Sequence, residues 1–286
     1  MGKSSTVSTS QLEIPARDQL RLGATLYRSE QPSGRVVVIN SAVAVARKFY
    51  GAFAMALAEA GYDVLTYDYR GVGSSRPERL RGMEASIRDW ALLDMAGVVD
   101  WVGAELAPER LFFVGHSVGG QVAGLLDNGA SIDGMITMSA QSGYWRLQGA
   151  EQKLVVGFHM HVTFPMLTRL FGYLPMKRAG AGEDIPKGVA LEWARWCRSR
   201  HYLLDDETLP LERYQQFQAP VLAYSVGDDK WGTPRAVDAM MSAYPNLQRR
   251  HINPKEVGLD SIGHFGYFRE SARDLWHDAI DWFDAI

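Results

Sequence analysis

The stretch that most constrains this chain is Leu111-Phe112-Phe113-Val114-Gly115-His116-Ser117-Val118-Gly119-Gly120. Four apolar residues read as a strand buried on both faces. A G-x-S-x-G sequence follows, and then a helical pattern over Val118 to Leu126. A strand that turns straight into a helix around a serine forces that serine into strained backbone. Gly115 and Gly119 carry no side chain, so strand and helix can close on each other there and present the Ser117 hydroxyl above the sheet. The helix start behind it offers unpaired N–H groups and a positive dipole end, which makes the Val118 N–H a candidate donor to an oxyanion. The competing reading is a capping serine at a glycine-rich helix start. The strand ahead of the motif argues against it.

The rest of the chain repeats the strand-then-helix rhythm. Leu12 to Ile14 and Leu22 to Tyr27, around a polar turn at Ala16 to Gln19, predict an opening hairpin. Arg35 to Asn40, Tyr62 to Tyr67, Ile132 to Met138, Val221 to Val226 and Arg249 to Ile252 predict further strands. Helices are expected over Phe49 to Ala60, with Gly61 as C-cap, over Ile87 to Leu106, over Pro234 to Ala243 and over Ser271 to Phe283. Strands alternating with helices imply a mostly parallel sheet. Ligands bind outside the carboxyl ends of such strands.

One segment breaks the rhythm. Residues 141–218, 78 in number, hold no strand-like run but eleven aromatic residues. A structureless loop of that length is improbable. It is read as a helical cap inserted into a core formed by residues 1–140 and 219–286, with residues 1–10 as a disordered tail. Most of its aromatics are expected to pack the cap onto the sheet, and a few to line an apolar pocket.

Composition narrows the function classes. Of 286 residues, 47% are hydrophobic and 22% charged, as in globular proteins. The balance of 30 basic against 33 acidic residues gives no basic stripe for nucleic acid. The single cysteine, Cys197, can form neither an internal disulfide nor a Cys-rich zinc site, which fits a reducing cytoplasm. No run approaches 18 consecutive apolar residues, so no membrane insertion is expected. Met1 to Thr6 fits the N-myristoylation pattern, against the plainer reading of a frayed polar end.

A serine hydroxyl needs a base, and the base needs an orienting acid. On this topology the acid follows the serine in the chain and the histidine comes last. Asp228 and Asp229 follow the Val221 to Val226 strand, so both are placed to be the acid. Of seven histidines only His264, in Ile262-Gly263-His264-Phe265-Gly266, lies between the last strand and the closing helix. His116 adjoins Ser117 and is expected to point elsewhere. His159 and His161 have ligand-like spacing but no third partner, so no metal is expected.

These motifs resemble the α/β-hydrolase superfamily. Gly115 to Gly120 is similar to its nucleophile elbow, and Asp68-Tyr69-Arg70-Gly71-Val72-Gly73-Ser74-Ser75 to its D-x-R-G-x-G-x-S loop. More narrowly, NSAVAVARKFY, LTYDYRGVGSS and IGHFGYFR resemble a group of uncharacterised predicted serine hydrolases. The resemblance covers nearly the whole chain. It implies an eight-stranded, mostly parallel sheet flanked by helices and a triad of Ser117, Asp229 and His264. In related sequences the acid lies about four residues ahead of the helix-starting proline, here Pro234, which favours Asp229 over Asp228. Many members carry His-Gly after the third strand. Here Asn40-Ser41 stand there, which makes the Ala42 N–H the second oxyanion donor, with the choice of N–H open by a residue.

The expectation is a serine hydrolase acting on a small, apolar carboxylic ester without a cofactor or metal, as a monomer or homodimer. Thioesterase, amidase and acyltransferase chemistry on the same triad remain alternatives. So do a ligand-sensing receptor on this scaffold and a lipase working at a membrane surface.

Overall fold

The computed structural model describes residues 7–286. The myristoylation pattern at Met1 to Thr6 lies outside the described residues.

Among the described residues ten strands occur in chain order: β1 (Ser8–Pro15), β2 (Arg21–Arg28), β3 (Arg35–Asn40), β4 (Asp63–Tyr67), β5 (Arg110–His116), β6 (Gly134–Met138), β7 (Tyr173–Leu174), β8 (Ile185–Pro186), β9 (Val221–Val226) and β10 (Leu247–Ile252). Eight form one sheet in the order β1-β2-β4-β3-β5-β6-β9-β10. β2 runs antiparallel to β1 and β4, and every other pairing is parallel. The α/β-hydrolase fold expected from the sequence is thus the fold observed.

The parallel strands are apolar along their whole length because both sheet faces are covered. Val36, Val38, Leu111 and Phe113 pack into one core. Their alternating neighbours Val37, Ile39, Phe112 and Val114 pack into a second core on the other face. β10, an edge strand, reads Leu-Gln-Arg-Arg-His-Ile and buries only Ile252.

Three expectations are corrected. Residues Ser8–Ser10 are not a tail but the start of β1, paired through Ser8↔Arg28 to Ser10↔Leu26. They escaped notice because an exposed edge strand needs no apolar pattern. Residues 141–218 are mostly helical, but Tyr173–Leu174 and Ile185–Pro186 form a short antiparallel pair. The predicted helix after Ser117 is also shorter than expected: a single α-turn, Val118–Gln121, continues as a tighter 3-10 turn, Val122–Leu125.

The loop after β4 fastens the active end of the sheet. Asp68, buried, accepts from the backbone N–H groups of Arg47 (2.7 Å) and Ser74 (2.9 Å) and pairs with the Arg47 guanidinium. Arg70 clamps the fully buried Asp94 (2.7 Å) and Asp18 (2.8 Å). Both links tie the carboxyl end of β4 to neighbouring elements, a structural role for the D-x-R-G motif.

Candidate active site

Ser117 sits where β5 turns into the helix Val118–Gln121, with φ 50° and ψ −116°. A non-glycine residue in that region carries about 1–3 kcal/mol of strain, tolerated only when its surroundings fix it. Here they do. Ser117 N–H donates to the Met138 carbonyl (2.9 Å), and the Ser117 carbonyl accepts from Gly120 (3.0 Å) and Gln121 (3.1 Å). The glycines are required for the reason the sequence suggested. A Cβ on Gly119 would lie 2.3 Å from the Asn40 carbonyl oxygen, and one on Gly115 would lie 2.4 Å from Gly120 Cα. The Val118 N–H, at the first helical position, has no acceptor within its own helix.

The two aspartates after β9 do different things. Asp229 Oδ2 faces His264 Nδ1 at 2.7 Å, while Oδ1 accepts from the N–H groups of Trp231 and Gly232, both at 2.8 Å. Burial alone would raise its pKa. The His264 charge and hydrogen bond, with Gly232 N–H, outweigh burial and draw it down to about 2. Asp228 turns the other way. It accepts from Ser261 Oγ (2.7 Å) and from the N–H groups of Ile262 (3.1 Å) and Gly263 (2.8 Å), and so holds the loop that carries His264. One carboxylate addresses the imidazole and its neighbour addresses the backbone beneath it.

Ser117 and His264 open into the same cavity, about 330 Å³ in volume. Its wall is built largely from residues 143–197, including Met160, Phe164, Leu167 and Trp193. Among the described residues, no Asp, Glu, Lys or Arg lines it. Trp231 stands at 5.4 Å, edge-on, from the His264 ring. Residues further along the segment between β6 and β9 brace the turn behind Ser117. Tyr202 donates to Gln121 Oε1 (3.1 Å) and Tyr214 to the Gln121 carbonyl (2.5 Å). Cys197 also lines the cavity, and burial raises its thiol pKa above the usual range.

Ala42 lines the cavity too, but its N–H donates to Tyr50 Oη at 2.9 Å. The N–H expected to donate to an oxyanion thus has a partner of its own in this structure. The residue responsible, Tyr50, was not singled out in the sequence. Tyr50 Oη in turn pairs with His116 Nδ1 (2.8 Å), and His116 Nε2 pairs with the His264 carbonyl oxygen (2.9 Å). His116 does point away from the cavity, as expected, and braces the histidine loop in doing so. His159 is in the cavity wall, while His161 Nδ1 bonds the Gly157 carbonyl (2.8 Å). No group of three His, Cys, Asp or Glu residues suited to a metal occurs among the described residues.

His116 is fully buried, and burial, aided by the nearby His264, pushes its pKa down to about 3. In the unfolded chain a histidine titrates near 6.5. A folded-state pKa below the unfolded one adds stability above about pH 6.5, and this is lost as pH falls from there toward 3, because the unfolded state takes the proton first. The slope of unfolding free energy against pH in that window should carry about 1.4 kcal/mol per pH unit from this residue. Urea unfolding across pH 4–6 should therefore show a shallower slope for His116→Gln than for the parent. Equal slopes would remove His116 from the account.

The sequence matches the serine aminopeptidase, S33 family over residues 30–184, just over half of the chain. No curated protein matches it in sequence. Among solved structures it is similar to a soluble variant of monoglyceride lipase from Saccharomyces cerevisiae in complex with a substrate analogue, at TM-score 0.67 and 16% identity, covering 99% of this chain and 98% of that one. It is also similar to ferulic acid-bound Est1E from Butyrivibrio proteoclasticus (TM-score 0.64, 17% identity, covering 96% and 98%). A thermophilic esterase from Thermogutta terrifontis shares the fold as well (TM-score 0.60, 18% identity, covering 96% and 98%). With the family match spanning β3 through the Ser117 turn and into the segment between β6 and β9, the chain belongs to the serine aminopeptidase S33 family of the α/β-hydrolase superfamily.

Proposed function

We propose that the protein is a serine esterase that cleaves esters of neutral, apolar acyl groups through an acyl-enzyme on Ser117. His264 takes the Ser117 proton as Oγ attacks the ester carbonyl, and Asp229 orients the imidazole and balances its charge. The Val118 N–H donates to the tetrahedral oxyanion. Ala42 could add a second bond only by giving up Tyr50. His264 then returns the proton to the leaving alcohol and later activates the water that frees the acid. Residues 141–218 serve as a cap whose inner wall shapes the acyl site. The single buried cysteine fits action in the reducing cytoplasm.

The observation that carries this reading is the Asp229–His264 pair at 2.7 Å, opening with the strained Ser117 into a cavity whose described lining holds no charged residue. The family's name points to peptide amides as a second reading. An aminopeptidase must hold a substrate ammonium, and a buried ammonium without a carboxylate is costly. The esterases and the monoglyceride lipase with this fold support the ester instead.

The test is a comparison of p-nitrophenyl esters of neutral acyl chains with aminoacyl p-nitroanilides. The esters should show the higher kcat/KM by roughly 100-fold or more, as expected for about 2.7 kcal/mol of unmet charge. Faster cleavage of the aminoacyl anilides would overturn the assignment.

A further inference from the structure

The longest helical run in the insertion, Lys153–Phe171, has two apolar faces. Its inner face supplies Val156, Met160, Phe164 and Leu167 to the cavity wall. Its outer face exposes Leu154 (78%), Val155, Phe158 (59%), Val162, Met166 and Leu170 (63%). Six of the eight large exposed hydrophobic residues among those described lie on this one helix. Residues four apart drift about 40° around an α-helix. The wider π-turns at His159–Thr163 take back part of that drift, so positions 154, 158, 162, 166 and 170 stay on one side.

The charge around this stripe is one-sided. Between Glu151 and Glu183 there is no acidic residue, while Lys153, Arg169 and Arg178 add positive charge along this segment and Lys177 pairs with Glu183 (3.6 Å), in a chain whose net charge is −3. An apolar face whose own segment carries basic residues is complementary to a surface that is apolar within and anionic at its rim.

We infer that the outer face of helix Lys153–Phe171 docks on the surface of an anionic lipid bilayer, lying in its plane, so that the wall of the Ser117 cavity is seated at the lipid. The inference rests on the ester-hydrolase reading for its purpose, which is to pass an acyl ester from lipid to Ser117 without crossing water. The helix is long and apolar enough to span a membrane, with mean hydropathy 1.2. Its inner face, however, packs against the cavity and against Trp193, whose ring lies 5.7 Å from Phe164. It therefore cannot be surrounded by lipid. A second copy of the chain fits less well. Nineteen residues make a helix about 28 Å long, so a stripe one side chain wide offers roughly 300 Å². A stable interface buries about 800 Å² on each partner. Two such helices would also face each other with like charges at both ends.

Vesicle co-sedimentation tests this, with the Ser117→Ala protein as the binding reporter so that binding and catalysis are read separately. The protein should sediment with vesicles containing phosphatidylglycerol. It should release at high salt and bind phosphatidylcholine vesicles roughly tenfold more weakly. The triple variant Leu154→Gln/Phe158→Gln/Leu170→Gln should lose about tenfold or more in partitioning while a matching triple variant with Ser117 intact keeps its rate on a water-soluble ester. Three results would overturn the inference: no sedimentation with anionic vesicles, equal binding to both lipids, or a dimer in solution that the triple variant dissociates. Loss of ester hydrolysis with vesicle binding retained would sink the esterase reading and leave the docking surface standing.

Discussion

Alanine at position 117 is expected to lower ester turnover by about 10⁴- to 10⁶-fold, the scale of losing a serine nucleophile that acts as a unit with its base. The strained turn should survive the change, since every bond that holds it is made by backbone: Ser117 N–H to Met138, and the Ser117 carbonyl to Gly120 and Gln121. Circular dichroism and the melting temperature should therefore stay close to the parent. A fluorophosphonate probe gives the same answer covalently. Ser117 Oγ forms a bond to phosphorus, fluoride leaves, and the hydroxyl proton passes to His264. Cys197 offers no competing nucleophile, because its buried thiol is held protonated. Labelling that persists in Ser117→Ala would mean the wrong residue has been named.

The second large effect separates two adjacent carboxylates. Asp229→Asn should reduce kcat by about 10⁴-fold, because an amide facing His264 Nδ1 favours the wrong tautomer and supplies no charge to balance the imidazolium. Asp228→Asn should leave kcat within about tenfold of the parent and act on stability, since Asp228 touches the backbone at Ile262 and Gly263 and not the ring. The measurement is kcat alongside melting temperature for both variants. A larger kcat loss at 228 than at 229 would reverse the roles assigned here.

Much of this arrangement was legible in the sequence. β-branched runs such as Val36-Val37-Val38-Ile39 mark strands buried on both faces, and the glycines around Ser117 mark a turn too tight for side chains. Chain order alone placed an aspartate after β9 and a histidine before the closing helix. The division of labour between Asp228 and Asp229 was harder to read, because two adjacent residues of one type on one loop differ only in where the turn aims them. Tyr50 escaped for another reason. Its partner His116 is 66 residues away, and nothing local marks a tyrosine as the acceptor for a loop amide. The N-terminal half of β1 is polar because it lies at the sheet edge. The outer stripe of helix Lys153–Phe171 was hidden because apolar residues at helical spacing look the same whether they face a core or the outside. Only the packing of the inner face against the cavity tells the two apart.

The run from Ala42 through Tyr50 and His116 to the His264 carbonyl has a direction. A carbonyl can only accept, so His116 must carry its hydrogen on Nε2. A ring held neutral then leaves Nδ1 bare, so Tyr50 must donate to it and use its own lone pair to receive the Ala42 amide. Every hydrogen in the run is thereby assigned, and none can move without orphaning a buried group. Two imidazoles stand with ring centres 5.2 Å apart in this site. In the reaction proposed above, His264 takes up and releases a proton in each turnover, while His116 is held neutral with both ring nitrogens already bonded.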